Sequence, residues 1–208
     1  MGIFIDNENK FSVYDAPKSG GTTIRSWINF AGDGSTNLIF ADGHYKPTDR
    51  HYYLLEKEWE CYITDFFIKT DYERVAVKRD PVERFISCYS DKVIHEGHGS
   101  YSDIDDLIDN FYNMIDDKFK HPSNSKIGYL WYHFSHQVNH LGYDINYYDL
   151  IVDISQVNSI LKEYLKQKWN MDLPEINTRK TNKKITLTEN QIEKVKKIYK
   201  EDYQVGWC

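Results

Sequence analysis

Residues Pro17-Lys18-Ser19-Gly20-Gly21-Thr22-Thr23 stand between two stretches of opposite periodicity. Upstream, residues 11–16 (FSVYDA) alternate as a short strand does, and downstream Ile24, Trp27, Ile28 and Ala31 recur at helical spacing. A strand turning through two glycines into a helix predicts a strand-loop-helix corner. Glycines let backbone N–H groups face a ligand with no Cβ in the way, and the first helical turn adds unpaired donors with positive partial charge. Lys18 brings a full charge, and the hydroxyls of Thr22 and Thr23 can donate to anionic oxygens and cap the helix. The corner therefore suits phosphate or sulfate. It departs from the G-x-x-x-x-G-K-[ST] loop of ATP-binding proteins, because its lysine precedes both glycines.

A second segment, residues 74–89 (RVAVKRDPVERFISCY), reads as a buried strand at Val75-Ala76-Val77 followed by a helix that Pro81 opens at its first turn. Arg79 falls at the strand's carboxyl end, and Ser87 follows two helical turns beyond the corner. A guanidinium binds phosphate oxygens in pairs and a serine hydroxyl fills a third acceptor site, so the two suit one phosphate. The plainer reading is an Arg-Asp surface pair at a helix start.

Together, the P-K-x-G-x-T-T corner and the R-D-P-x-x-R-x-x-S-x-Y segment resemble the nucleotide-binding elements of sulfotransferases that use 3'-phosphoadenosine 5'-phosphosulfate (PAPS). The motif match covers residues 11–31 and 72–92, with a looser likeness in Lys200-Glu201-Asp202-Tyr203, an ending common in carbohydrate sulfotransferases. The resemblance implies that Lys18, Ser19, Gly20, Gly21, Thr22 and Thr23 hold the 5'-phosphosulfate and that Arg79 with Ser87 holds the 3'-phosphate. PAPS is then the donor and adenosine 3',5'-bisphosphate (PAP) the product. Lys18 would offset charge growing on the bridging oxygen, and no metal is required.

Sulfuryl transfer to a hydroxyl needs a base near neutral pKa, which favours histidine over an unperturbed carboxylate such as Asp42 or Asp65. Between the two anchors, residues 38–45 (LIFADGHY) read as an apolar strand running into Gly43-His44. That element is similar to the Gly-His of heparan sulfate 2-O-sulfotransferase-like enzymes, which implies His44 as the catalytic base and a saccharide as the acceptor. The structural alternative is a loop histidine with no special task.

The chain has 208 residues, 40% of them hydrophobic and 15% aromatic, enough for one domain, 1–208, with a sizeable core. The opening MGIFIDNENK lacks the order of a secretory signal, and no stretch approaches a membrane span, so a soluble cytoplasmic protein is expected. Three scattered cysteines signal neither a disulfide framework nor a zinc site. A net charge of -6 argues against nonspecific nucleic-acid binding.

Further along, residues 103–116 predict an acidic helix with Ile104, Leu107, Ile108, Phe111 and Ile115 inward. His133, His136 and His140 share helical spacing without a fixed metal partner, and with Trp131 and Tyr132 they read as core or as lining of an acceptor cleft. Asp149 to Asp153 predicts a strand, with Ser155 capping the helix that follows. Residues 174–186 are a basic loop, where Arg179 and Lys180 are nucleotide-binding candidates by likeness to a late basic loop of related sulfotransferases. A capping box at Thr188 starts the last helix. The alternation predicts an α/β fold: a single three-layer domain with a central parallel sheet and a P-loop-like strand-loop-helix. Two competing functions are a nucleotide-binding protein without turnover and a P-loop-related kinase. The kinase is disfavoured by the missing lysine position and the lack of a clear magnesium carboxylate.

Overall fold

The computed structural model describes residues 2–6, 8–33, 51–55, 71–99, 101–111, 126–176 and 185–208, with the backbone alone at 2, 33, 51–55 and 126–129. The chain divides into two compact units, Met1–Lys78 with Asn146–Thr178 and Arg79–Ile145 with Arg179–Cys208.

The first unit starts with a hairpin. Strands β1 (Gly2–Asp6) and β2 (Phe11–Asp15) pair antiparallel, Gly2 opposite Asp15 and Asp6 opposite Phe11. The turn is closed by the Asp6 carboxylate, which accepts the N–H groups of Glu8 (3.0 Å) and Asn9 (2.9 Å). The same buried carboxylate takes the Trp169 indole N–H at 2.8 Å, so a polar group inside the core is satisfied from both sides.

Five strands make the sheet, in the order β3 (His51–Leu55), β1, β2, β4 (Glu73–Lys78), β5 (Leu150–Asp153). β2, β4 and β5 pair in parallel, and β1 is antiparallel to both its neighbours. Four strands thus run one way, as the α/β reading expects, and β1 runs against them because a short turn leaves no room for a crossover.

Phe11, Val13, Val75, Val77 and Val152 lie at period two on one face and are buried. Helix α1 (Gly21–Asp33) buries Ile24, Trp27 and Ile28 in the same cluster, where Val157, Leu161, Leu165 and Trp169 also pack. Trp27 is fully buried, and its indole N–H donates to Pro174 O at 3.0 Å.

After β5 the cap differs from the sequence expectation. Asp153, not Ser155, caps the turn, its Oδ1 accepting the Ser155 N–H at 2.8 Å and the Ser155 hydroxyl at 2.6 Å. A carboxylate outcompetes a hydroxyl as acceptor, and Ser155 becomes a donor to it.

The second unit is helical. Helix α2 (Pro81–Cys88) continues into a π-helical stretch, Tyr89–His95. Asp103 caps α3 (Ile104–Asp109), whose Leu107 and Ile108 are buried together with Phe111 as expected, while Ile115 lies outside the described residues. Helices α4 (Lys126–Phe134) and α5 (Val138–Leu141) follow. Thr188 opens α7 (Glu189–Ile198) with the expected capping box; α6 (Lys162–Trp169) belongs to the first unit, and α8 (Lys200–Val205) closes the chain. Phe85, Phe134, Val195, Ile198 and Tyr199 form the centre of this unit's own core, with the Phe85 and Phe134 rings 5.3 Å apart and edge to face. No helix among the described residues is long and apolar enough to cross a membrane.

Candidate functional site

The corner expected from the sequence is present. β2 ends at Asp15, residues 16–20 turn, and α1 begins at Gly21. Lys18 and Gly20 carry positive φ, 68° and 93°, so the chain reverses through two left-handed residues. For lysine that conformation costs about 1–2 kcal/mol, which the surrounding fold must offset. The Ser19 N–H is used inside the turn, donating to Ala16 O at 3.1 Å. The first helical bond runs from Ile24 N–H to Gly20 O at 3.2 Å. The N–H groups of Gly21, Thr22 and Thr23 precede it and have no acceptor within the helix.

Gly21 is fixed by close approach. A Cβ there would stand 2.0 Å from Asp15 Oδ2 and 2.9 Å from Arg25 Nη2, and Asp15 is buried. Arg25 Nε also donates to Gly21 O at 3.0 Å. Ser19 is fully buried and its Oγ has no hydrogen-bond partner among the described residues. An uncommitted buried hydroxyl costs roughly 1–3 kcal/mol, a penalty that a bound oxyanion would relieve. Three donating N–H groups, Lys18 and these hydroxyls fit such a ligand; Thr22 is exposed and Thr23 buried.

Arg79 and Ser87 both belong to the second unit. Arg79 is the residue after β4, Asp80 caps α2 by accepting the Glu83 N–H at 3.0 Å, and Pro81 takes the first helical position, as its fixed φ allows. Arg79 is half-buried, with Nε 3.6 Å from Glu83 Oε2. Ser87, also half-buried, has no side-chain hydrogen-bond partner among the described residues.

Sequence reasoning missed what holds this corner. The Gln137 side chain accepts the Arg79 N–H at 3.0 Å and donates to Arg79 O at 2.8 Å and to Trp207 O at 2.8 Å. The Asp202 carboxylate accepts the N–H groups of Gln137 and Val138, each at 2.9 Å, and so caps α5. Burial raises the Asp202 pKa against the opposing pull of Arg84 and these two donors. Fully buried Arg84 donates to the carbonyls of His133 (3.0 Å) and Ser135 at the end of α4, where the helix dipole is negative, and its guanidinium lies 5.3 Å from the Tyr199 ring. Arg84, three residues before Ser87 in the sequence, thus caps the end of a helix.

The polar contacts of His136 and His140 go to different groups. His136 Nε2 lies 2.7 Å from Ile198 O, His140 Nε2 lies 2.7 Å from Ser135 Oγ, and the Tyr132 ring meets those of His133 and His140 edge to face. Burial holds the His140 pKa well below its ordinary value, with the Arg84 charge adding to the effect. Packing, the plainer alternative for this group, accounts for these contacts. His44, Arg179 and Lys180 lie outside the described residues.

No curated protein and no solved structure matches the chain. The sulfotransferase family does, over residues 1–205, a span that includes both the lysine-glycine corner and the Arg79 segment. Membership implies PAPS as sulfuryl donor and PAP as product. With nearly its whole length matched, the chain belongs to the sulfotransferase family, a family of PAPS-dependent transferases.

Proposed function

We propose that this enzyme sulfates a hydroxyl group of a saccharide by in-line displacement, with residues 1–208 acting as one catalytic domain. The observation that carries the reading is the corner at residues 16–23, where left-handed Lys18 and Gly20 leave three consecutive N–H groups for an oxyanion. In this reading Lys18, Ser19, Gly20, Gly21, Thr22 and Thr23 hold the phosphosulfate of the donor. Arg79 and Ser87 take the 3'-phosphate, with Arg179 and Lys180 as further nucleotide contacts.

His44 is the proposed base. It accepts the proton of the acceptor hydroxyl as that oxygen forms a bond to sulfur, and the bond from sulfur to the phosphate oxygen breaks. Lys18 stabilises the charge that collects on the departing phosphate. Positioning, one base and fixed charges suffice for such a transfer, so no metal is assigned. The saccharide rests on the likeness of Gly43-His44 to heparan sulfate 2-O-sulfotransferase-like enzymes and on the Lys200-Glu201-Asp202-Tyr203 ending.

Incubation with sulfur-35-labelled PAPS and a panel of glycans, phenols and steroids tests the acceptor. Label on glycans is expected; label only on phenols or steroids overturns the saccharide assignment. His44→Ala should abolish transfer while PAP binding stays within a few fold, and full activity in that variant would exclude His44 as the base.

A further inference from the structure

We propose that Gln137 is a positioning residue for the 3'-phosphate site: its side-chain amide holds the Arg79 peptide in place before the nucleotide arrives. This inference rests on the reading that Arg79 binds the 3'-phosphate. The register of β4 with β5 ends at Lys78 opposite Asp153, so Arg79 lies one residue past the sheet. Two residues later Pro81 has no N–H to donate, and a residue before proline is confined to extended conformations, as Asp80 is (φ -49°, ψ 129°). The peptide groups of Arg79 thus fall between a finished strand and a helix that has not begun, and neither element can satisfy them.

Gln137 fills that gap. A carboxamide offers an acceptor and a donor side by side, as a peptide does, and here it meets the N–H and the C=O of Arg79 as a neighbouring strand would. Its second N–H goes to Trp207 O, and with two carbonyls and one N–H as partners only one orientation of the amide satisfies all three. The residue is completely buried, and its own N–H is anchored on Asp202. Asp202 Oδ1 also takes the Val138 N–H, and the Trp207 indole N–H donates to Gly142 O at 2.9 Å. Gln137 is therefore anchored by contacts that do not involve Arg79, through its own N–H and through Trp207 O. A guanidinium that grips two phosphate oxygens needs its own backbone fixed to within a fraction of an ångström, and the Gln137 amide supplies that constraint.

None of these groups has to touch the nucleotide. The expected signature is a loss confined to ligands that carry a 3'-phosphate. Isothermal titration of PAP and of adenosine 5'-phosphate into the wild-type enzyme, Arg79→Ala, Gln137→Ala and Gln137→Met separates the possibilities. Wild type should prefer PAP, Arg79→Ala should lose the preference, and both Gln137 variants should lose at least tenfold of it while their affinity for adenosine 5'-phosphate stays within about twofold. KM for PAPS should rise in the Gln137 variants with kcat little changed, since the 3'-phosphate is remote from the sulfur.

If Arg79→Ala keeps the preference, the 3'-phosphate reading falls and this inference with it. If Arg79→Ala loses it and folded Gln137 variants keep it, Gln137 has no positioning role and the reading of Arg79 stands. Amide hydrogen exchange at Arg79 in the unmodified enzyme is independent of how well the variants fold. Protection without nucleotide is expected, and protection appearing only after PAP is added overturns the inference.

Discussion

The lysine-glycine corner and the Arg79 corner follow a strand in the same way, yet they are built from opposite materials. Residues 16–23 shape themselves: two left-handed residues, one turn bond from Ser19 to Ala16, and a helix that starts where the glycines end. Arg79 depends on residues far along the chain, with Gln137 58 positions away and Asp202 a further 65 beyond it. A self-shaped loop can be altered one residue at a time, whereas a corner held by buried side chains fails together with the network that supports it.

The largest effect should follow from removing a fully buried charge of the same unit, Arg84, whose field also acts on Asp202. Arg84→Ala removes the guanidinium donor from Ser135 O and one of two donors from His133 O and opens a cavity, and urea unfolding should show a loss of about 3–5 kcal/mol. A loss below about 1 kcal/mol would mean that the corner does not need its buried cap.

Lys18→Ala should be the converse case. Its side chain is not part of the core, so stability should change little, while kcat for sulfuryl transfer falls about 100-fold or more, as when one preplaced stabilising group is removed. Initial rates with labelled PAPS beside a melting curve check both halves. A variant that melts early and keeps its kcat would reverse the contrast between the two corners.

A smaller effect comes from pH. His140 has a folded pKa well below the ordinary 6.5, so the folded state binds its proton less tightly than the unfolded chain does. The stability this provides is present above pH 6.5 and is lost as pH falls below it, at up to about 1.4 kcal/mol per pH unit for one proton. Asp202, raised by burial, works in the opposite direction closer to the carboxylate range. Wild type should unfold in less urea at pH 5.5 than at pH 7.5, and His140→Gln should flatten that slope. An unchanged slope would assign the acid sensitivity to other groups.

How much of this was legible in the sequence follows from the same contrast. The strand, loop and helix at residues 11–33 could be read because each signal is local: alternation, glycine, then helical spacing. The Thr188 capping box and the Pro81 helix start were legible for the same reason. The reversed direction of β1 was not, since the hairpin turn at Asp6 depends on one carboxylate collecting two N–H groups and an indole from 163 residues away. Gln137 left no trace in the sequence, because a lone glutamine among aromatic residues looks like any surface polar group. Asp202 lay inside a stretch noticed only by resemblance, and its role appears once its carboxylate is seen on two N–H groups.

A thermal-shift comparison of PAP with ATP-magnesium tests the central claim, that the chain grips a nucleotide by a 5'-anion and a 3'-phosphate. A ligand that binds only the folded state raises Tm, and at a given concentration the tighter ligand raises it more. PAP should raise Tm well above both the free enzyme and the enzyme with ATP-magnesium; equal or greater stabilisation by ATP-magnesium would contradict the account.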